Sequence, residues 1–168
     1  MVELGYAGTS VELISRRAGI SRRTFYDHFA DRDAAALAYF DRSTVRLLAE
    51  IDGVLDDEAI APPGRIDAAV AAALRLASAH PDAARAWLTR AGRSHERLSD
   101  HRGEALAALE RRLAAQLKAE GRRAPRPLAL ELRVGGVCEV VRGRLLAHES
   151  ALTELAPALT FVLRQPAA

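Results

Sequence analysis

The part of the sequence that most restricts the fold is residues 9–32, where two short helices must meet at a glycine. Thr9 and Ser10 are N-cap residues, whose side-chain oxygens accept hydrogen bonds from the free amides of a first helical turn. Apolar residues then recur at helical spacing as far as residue 18. Gly19 ends this first helix, because glycine enters the left-handed conformation of a helix C-terminus without steric cost.

The second helix of this stretch follows at once and has two unlike faces. Ser21 is its N-cap, and Phe25 and Phe29 are predicted on its inner face. The other face is polar and basic, and it carries Arg22, Arg23, Thr24, Tyr26 and His28. Two short helices joined at a glycine turn, the second with a basic face, are typical of a helix-turn-helix motif.

Residues 9–37, TSVELISRRAGISRRTFYDHFADRDAAAL, resemble the DNA-binding signature of the TetR family of bacterial transcription regulators. The resemblance covers roughly the first 40 residues, and the remainder agrees only as an all-helical chain. Arg23 stands where that family often has glycine, Ser15 where it usually has alanine, and Arg32 where lysine is common. The positions that match are Thr9, Ser10, Val11, Ile14, Ala18, Gly19, Ile20, Ser21, Thr24, Tyr26, His28, Phe29 and Leu37.

The motif predicts which side chains contact double-stranded operator DNA. Arg22 and Arg23, which follow the cap Ser21, are long enough to reach guanine edges in the major groove, and Thr24 is predicted to contact a base or a thymine methyl. By resemblance, phosphate contacts are expected from Tyr26, His28, Thr9, Ser10 and Arg32. The cap residue Ser21 also belongs to the predicted DNA-binding residues. The competing interpretation is that the arginines form only a solvated face and that Tyr26 only packs.

Composition is compatible with a local DNA-binding surface in a helical protein. The formal net charge is only +2, so affinity for DNA has to come from a patch. Residues 16–23 hold four arginines and no acid and form such a patch. The single cysteine, the absence of an apolar run of about 20 residues and the absence of a secretion signal predict a soluble cytoplasmic protein.

The predicted fold is all-α, with a helix-turn-helix domain over residues 1–42 and a helical effector-binding and dimerisation domain over residues 43–168. By resemblance, the family begins with a longer helix that covers the motif, and here only about its last turn is present. Burial of each apolar side chain under that helix contributes roughly 1.5–3 kcal/mol. The natural start of the protein therefore lies upstream of Met1, or the motif is loosened, or another chain supplies the cover. We favour the first of these expectations.

Further helices are predicted from apolar spacing, caps and breakers. Asp31 is predicted to cap a long helix that links the two domains, and Ser99 and Ser150 are predicted to cap two later ones. Pro62 and Pro63 are assigned to a loop. The other expected segments are a loop at 58–64, helices at 65–79, 82–90, 99–121 and 128–148, a basic linker at 122–127 and a final helix after residue 150.

The last two predicted helices have apolar residues on more than one face, which indicates an interface as well as a core. By resemblance, they pair with their copies in a homodimer, as a four-helix bundle. Gly135, Gly136 and Gly143 lower helix propensity but allow another helix to approach closely. The alternative is a monomer whose helices cover one another.

A regulator of this kind responds to a signal. The resemblance implies that the signal is a small-molecule effector, which binds in a mostly apolar cavity between the middle helices. His101 or Arg133 is predicted to supply a polar contact there. For each cavity residue the alternative is an ordinary place in the core. The apolar candidates are Phe40, Trp87, Leu106, Leu109, Cys138 and Val141.

Other chemistry is not indicated by the sequence. His95 and His101 lie six residues apart, about 120° around a helix, so they do not form a metal pair on one face. The sequence has no zinc, phosphate-loop or nucleophile-elbow motif, so we expect no enzyme, no metal and no cofactor. Cys138, within an apolar helix, is expected to pack rather than to react.

The favoured hypothesis is a homodimeric repressor that a small, largely apolar effector releases from its operator. Its two recognition helices would lie about 34–36 Å apart, in successive major grooves. The alternative is a helical ligand-binding or interaction protein that has lost DNA binding, which the short first helix favours. The two differ in whether the chain shows salt-dependent binding to DNA.

Overall fold

A computed structural model describes residues 9–88, 96–123, 125–149 and 151–165, and every element in these ranges is helical. This confirms the predicted all-α fold, with a helix-turn-helix followed by a helical C-terminal part. A short 3-10 helix, Leu152–Leu155, precedes the last α-helix. The α-helices are α1 (Val11–Ala18), α2 (Arg22–His28), α3 (Arg32–Leu55), α4 (Pro62–Ala79), α5 (Pro81–Leu88), α6 (Glu96–Ala119), α7 (Pro127–Leu146) and α8 (Ala156–Leu163).

The helix-turn-helix is built by the local signals that predicted it. The Ser10 hydroxyl accepts from the amide of Leu13 at 3.2 Å, and that of Ser21 accepts from the amide of Thr24 at 3.0 Å. Gly19 has a φ of 67°, so the chain reverses there in the left-handed conformation. Both helices of the motif therefore begin after their serine caps, and α1 ends at Gly19.

Three predicted boundaries are wrong. α4 begins at Pro62, not after a loop that includes Pro62 and Pro63, because the first helical turn leaves its amides without intrahelical partners and tolerates proline. α6 begins at Glu96, one turn before the predicted cap Ser99. α2 ends at His28, and Phe29 has extended backbone. The cap predicted at Ser150 and the end of the helix predicted at 82–90 lie outside the described residues.

The C-terminal helices enclose two neighbouring hydrophobic clusters. The first cluster brings α3, α5 and α7 together around Phe40, Trp87 and Leu145. The second brings α4, α6, α7 and α8 together around Ile66 and Leu113. Residues that pack against both clusters make them continuous, and these are Val70, Leu106, Leu109, Val137 and Cys138.

α3 connects the helix-turn-helix to this core. It is 24 residues long, or roughly 36 Å at the rise of an α-helix. At its N-terminus the Arg32 guanidinium donates to the backbone oxygen of Thr9 at 3.0 Å, and further along it packs against α4, α5 and α6. The predicted domain boundary at residues 42 and 43 falls inside this helix, and the division into two domains stays a prediction.

The predicted supporting helix at the N-terminus falls in residues 1–8, outside the described part of the chain. Among the residues that are described, no helix has the length and apolar character needed to cross a membrane.

Candidate nucleic-acid interface and apolar cavity

The exposed side of α2 carries most of the side chains predicted to contact DNA. Arg22, Arg23 and His28 are exposed, and Tyr26 is 50% exposed. Phe25, on the opposite side, is almost completely buried and meets the Tyr26 ring edge-on at 5.5 Å. The core contact of Phe25 thus sets the orientation of the helix, and its basic face is left free for a partner.

Thr24 and Thr9, which are both predicted to contact DNA, are less accessible to a partner than the arginines of α2. The Thr24 hydroxyl lies 2.9 Å from that of Ser21, so part of its hydrogen-bonding capacity is already used within the cap. Thr9 is only 3% exposed, and its backbone oxygen is bound by Arg32. Ser10, next to it, is exposed. The DNA contact of each of these residues stays a prediction, and burial makes Thr9 the weakest of them.

A cavity of about 400 Å³ lies between α3, α4, α5, α6, α7 and α8. Its lining on α3 begins at Tyr39 and ends at Leu55, sixteen positions that span roughly 24 Å of helix. On α4 the lining runs from Ile66 to His80. The cavity is therefore long, and apolar side chains from all six helices form most of its wall. Its volume is within the range of small-molecule sites.

The structure brings only some of the predicted cavity residues to the cavity wall. Those on the wall are Trp87, Leu109, Cys138 and Val141. Phe40, His101, Leu106 and Arg133 are not among the residues of the wall, and a role for them in ligand binding stays a prediction. The Phe40 ring lies parallel to that of Trp87, with the ring centroids 5.9 Å apart. The His101 imidazole instead bonds Asp41 at 2.8 Å, and Leu106 packs within the core.

Several polar side chains on the wall were missed by the sequence analysis. They are Arg42, Ser43, Arg46, His80, Arg112 and Gln116. The sequence carried one signal, the four-residue spacing that puts Arg42 and Arg46 on the same side of α3. That spacing does not say whether the side faces solvent or a cavity, because the answer depends on how the other helices pack.

Arg112 lines the cavity and forms an ion pair with Asp52 that joins α6 to α3. Its Nε and Nη2 donate to the two carboxylate oxygens of Asp52, at 2.5 and 2.6 Å. These hydrogen bonds lower the pKa of Asp52 and raise the pKa of Arg112. Gln116, one turn further along α6, donates from its amide to the backbone oxygen of Pro62 at 3.0 Å.

Cys138 is the only thiol of the chain, and it lies in the cavity wall. Burial raises the pKa of this thiol to about 11, with a smaller opposing effect from the charge of Arg102. A thiol with such a pKa stays protonated near neutral pH and is a poor nucleophile. Its role in the wall is therefore apolar packing. Across the described ranges, no group of three or more His, Cys, Asp or Glu side chains forms a metal site.

The last two helices leave apolar side chains uncovered. On α7, Leu128 and Leu132 are 66% and 67% exposed, and on α8, Phe161 is 69% exposed. A side chain added at Gly136 or Gly143 would meet nothing within 4 Å. These residues, with Leu146 and Val162, form an exposed apolar surface that we call the C-terminal face.

A basic helix-turn-helix, joined by one long helix to a body that holds an apolar cavity, is the arrangement expected of a transcriptional regulator. Comparison with known families agrees, since the model for bacterial regulatory proteins of the tetR family matches residues 1–39. The match covers the helix-turn-helix part of the chain and agrees with the resemblance that the sequence predicted there. No curated protein sequence matches this chain.

Solved structures with the same fold include a fatty acid degradation regulator and a transcriptional regulator, both named FadR and both from Bacillus species. FadR from Bacillus halodurans superimposes with a TM-score of 0.83 at 20% identity, over 96% of this chain and 87% of that one. FadR from Bacillus subtilis in complex with stearoyl-CoA gives 0.76 at 16% identity, over 96% and 90%. A protein of unknown function from Rhodococcus sp. RHA1 gives 0.63 at 20% identity, over 96% and 87%.

Proposed function

We propose that the protein is a ligand-responsive repressor, which binds operator DNA as a homodimer and releases it when an apolar effector fills the cavity. The observation that carries this proposal is that one helix takes part in both sites. α3 begins at the helix-turn-helix and forms the cavity wall from Tyr39 to Leu55. A ligand that moves this wall therefore also moves the recognition helix α2.

The homodimer is supported by the C-terminal face. Leu128, Leu132 and Phe161 are each about two-thirds exposed, and contiguous apolar surfaces of this kind mark interaction sites. α7 and α8 of two copies would bury them as a four-helix bundle. In the dimer, the two α2 helices read two half-sites of an operator, as helix-turn-helix dimers do.

The shape of the cavity supports an elongated, largely apolar effector. Its wall extends about 24 Å along α3 and consists mainly of Leu, Ile, Val and Ala side chains. A compact ligand would leave much of that length empty, whereas an acyl chain would fill it. One of the similar structures is a complex with stearoyl-CoA, and this makes acyl-CoA thioesters the first effectors to test.

Release requires the effector to prefer the state that does not bind DNA, because equal affinity for both states shifts nothing. Effector and operator must then weaken each other's binding by the same factor. Trp87 supports a direct structural connection between the cavity and α3. It lines the cavity, and its indole stacks on Phe40 and donates a hydrogen bond to Thr44, which both belong to α3.

The test uses the full chain and a labelled duplex taken from upstream of its own gene. Binding is measured by fluorescence anisotropy at several salt concentrations, then with stearoyl-CoA or lauroyl-CoA added, and CoA alone serves as the control. We expect salt-dependent binding that either thioester weakens at least tenfold. Binding that both thioesters leave unchanged contradicts the effector. The absence of salt-dependent binding to that duplex favours instead the alternative, a helical ligand-binding protein without DNA binding.

A further inference from the structure

The two ends of the cavity carry different polar groups. We call the end of the cavity near Leu55 of α3 the inner end. There, Arg112 is held by the carboxylate of Asp52, so its charge is already paired. We call the opposite end, near Tyr39 of α3, the outer end. There, Arg42 and Arg46 line the cavity and are exposed to solvent. Among the described residues, neither of these two guanidinium groups has a hydrogen-bond or ion-pair partner.

Two acidic side chains near the outer end are paired with residues other than Arg42 and Arg46. Asp41 bonds His101, and Asp82 pairs with Arg85 at 2.9 Å. Glu50 is placed one turn after Arg46, yet it makes no ion pair with that residue in the part of the chain described. Two like charges on adjacent turns of a helix repel each other, so an anion placed between them would be stabilised.

Other polar groups at this end are compatible with an anion. His80 lies at the C-terminal end of α4 and lines the same part of the wall as Tyr39. Ser43 lies between the two arginines in the sequence. Its hydroxyl donates a hydrogen bond to the backbone oxygen of Tyr39 at 2.8 Å. The outer end therefore carries two exposed arginines at its rim, and it continues directly into the apolar part of the cavity.

We propose that Arg42 and Arg46 bind the anionic head of the effector, so that the effector is an amphiphile whose tail lies in the cavity. The planar guanidinium group has the geometry to bind phosphate or carboxylate oxygens in pairs. This proposal rests on the proposed function and adds the chemistry of the head. Because both arginines belong to α3, a bound head acts on the helix that leads to the DNA reader.

The test measures ligand binding directly, without DNA, by isothermal titration calorimetry on the full chain. Four probes are compared: lauroyl-CoA, laurate, dodecanol and CoA alone. The variant is the double substitution Arg42→Gln and Arg46→Gln, which keeps most of the side-chain length. The control is Arg75→Gln, an exposed arginine of α4 that does not line the cavity.

We expect the double variant to bind lauroyl-CoA, laurate or both at least tenfold more weakly, while its affinity for dodecanol and the affinities of Arg75→Gln stay unchanged. A loss confined to lauroyl-CoA identifies a phosphate-bearing head, and a loss for laurate identifies a carboxylate. An unchanged affinity for both anionic probes, or an equal loss for dodecanol, overturns the proposal while the proposed function stands. If the wild-type chain binds none of the probes, the proposed effector and this inference both fail.

Discussion

The indole N–H of Trp87 donates to the hydroxyl of Thr44 at 2.8 Å and thereby ties α5 to α3 behind the cavity wall. Trp87 lines the cavity, whereas Thr44 does not. Phe40, one turn before Thr44, stacks against the other part of the indole. A ligand that displaces the Trp87 ring must therefore also disturb two side chains of the helix that leads to the DNA reader.

The first prediction concerns this hydrogen bond. Thr44→Val keeps the shape of the side chain but leaves the indole N–H of a residue that is only 6% exposed without its acceptor. We expect a loss of about 1–3 kcal/mol in the free energy of unfolding, measured by urea denaturation. We also expect retained effector affinity with a changed effect of the effector on operator binding. The exposed Thr153→Val is the control, and equal stability of the two variants would contradict the prediction.

A second prediction tests base recognition by α2. Arg22→Ala removes an exposed side chain at the start of the recognition helix and is expected to weaken operator binding by about 1–3 kcal/mol. Its binding to an unrelated duplex is expected to change much less, because phosphate contacts dominate there. A gel-shift titration measures both affinities, with Arg75→Ala as the control. Equal losses on the two duplexes would show that Arg22 contacts only the backbone of the DNA.

The third prediction is a pH dependence caused by the ion pair between Asp52 and Arg112. Because the folded-state pKa of Asp52 is lowered, the pair stabilises the fold at neutral pH, and that stabilisation is lost as the pH falls through the lowered pKa. Asp52→Asn should therefore cost stability at pH 7, by up to about 1 kcal/mol for a pair this exposed to solvent.

Urea denaturation at neutral and acidic pH measures this difference. The gap between wild type and Asp52→Asn should close on acidification, and Glu50→Gln, a nearby change on the same helix, should show no such gap. A gap that persists below the lowered pKa would mean that Asp52 acts by packing instead of by charge.

A fourth prediction concerns the C-terminal face. Leu132→Glu places a charge at the centre of an apolar surface that the proposed dimer buries, so we expect a monomer in sedimentation velocity. Operator affinity should then fall at least tenfold, because one recognition helix reads only one half-site. Val45→Glu is the matched control, since Val45 is also 67% exposed but lies on α3. A dimer that survives Leu132→Glu would place the interface elsewhere.

The sequence determined the helix-turn-helix, because the signals that form it are local. The Ser10 cap, the left-handed Gly19 and the Ser21 cap act within a few residues of themselves, and each appears where the sequence placed it. The same locality explains why a family signature of some 30 residues was readable without a structure.

Only the tertiary structure decided which side chains reach the cavity. Phe40 and Trp87 were both predicted to lie near the cavity. In the structure, Trp87 lines the wall, whereas Phe40 stacks on the Trp87 ring and does not line it. Arg42 and Arg46 were not among the residues predicted to lie near the cavity. They border the cavity because α3 presents that side to α4 and α5, and such a relation depends on contacts between residues far apart in the chain.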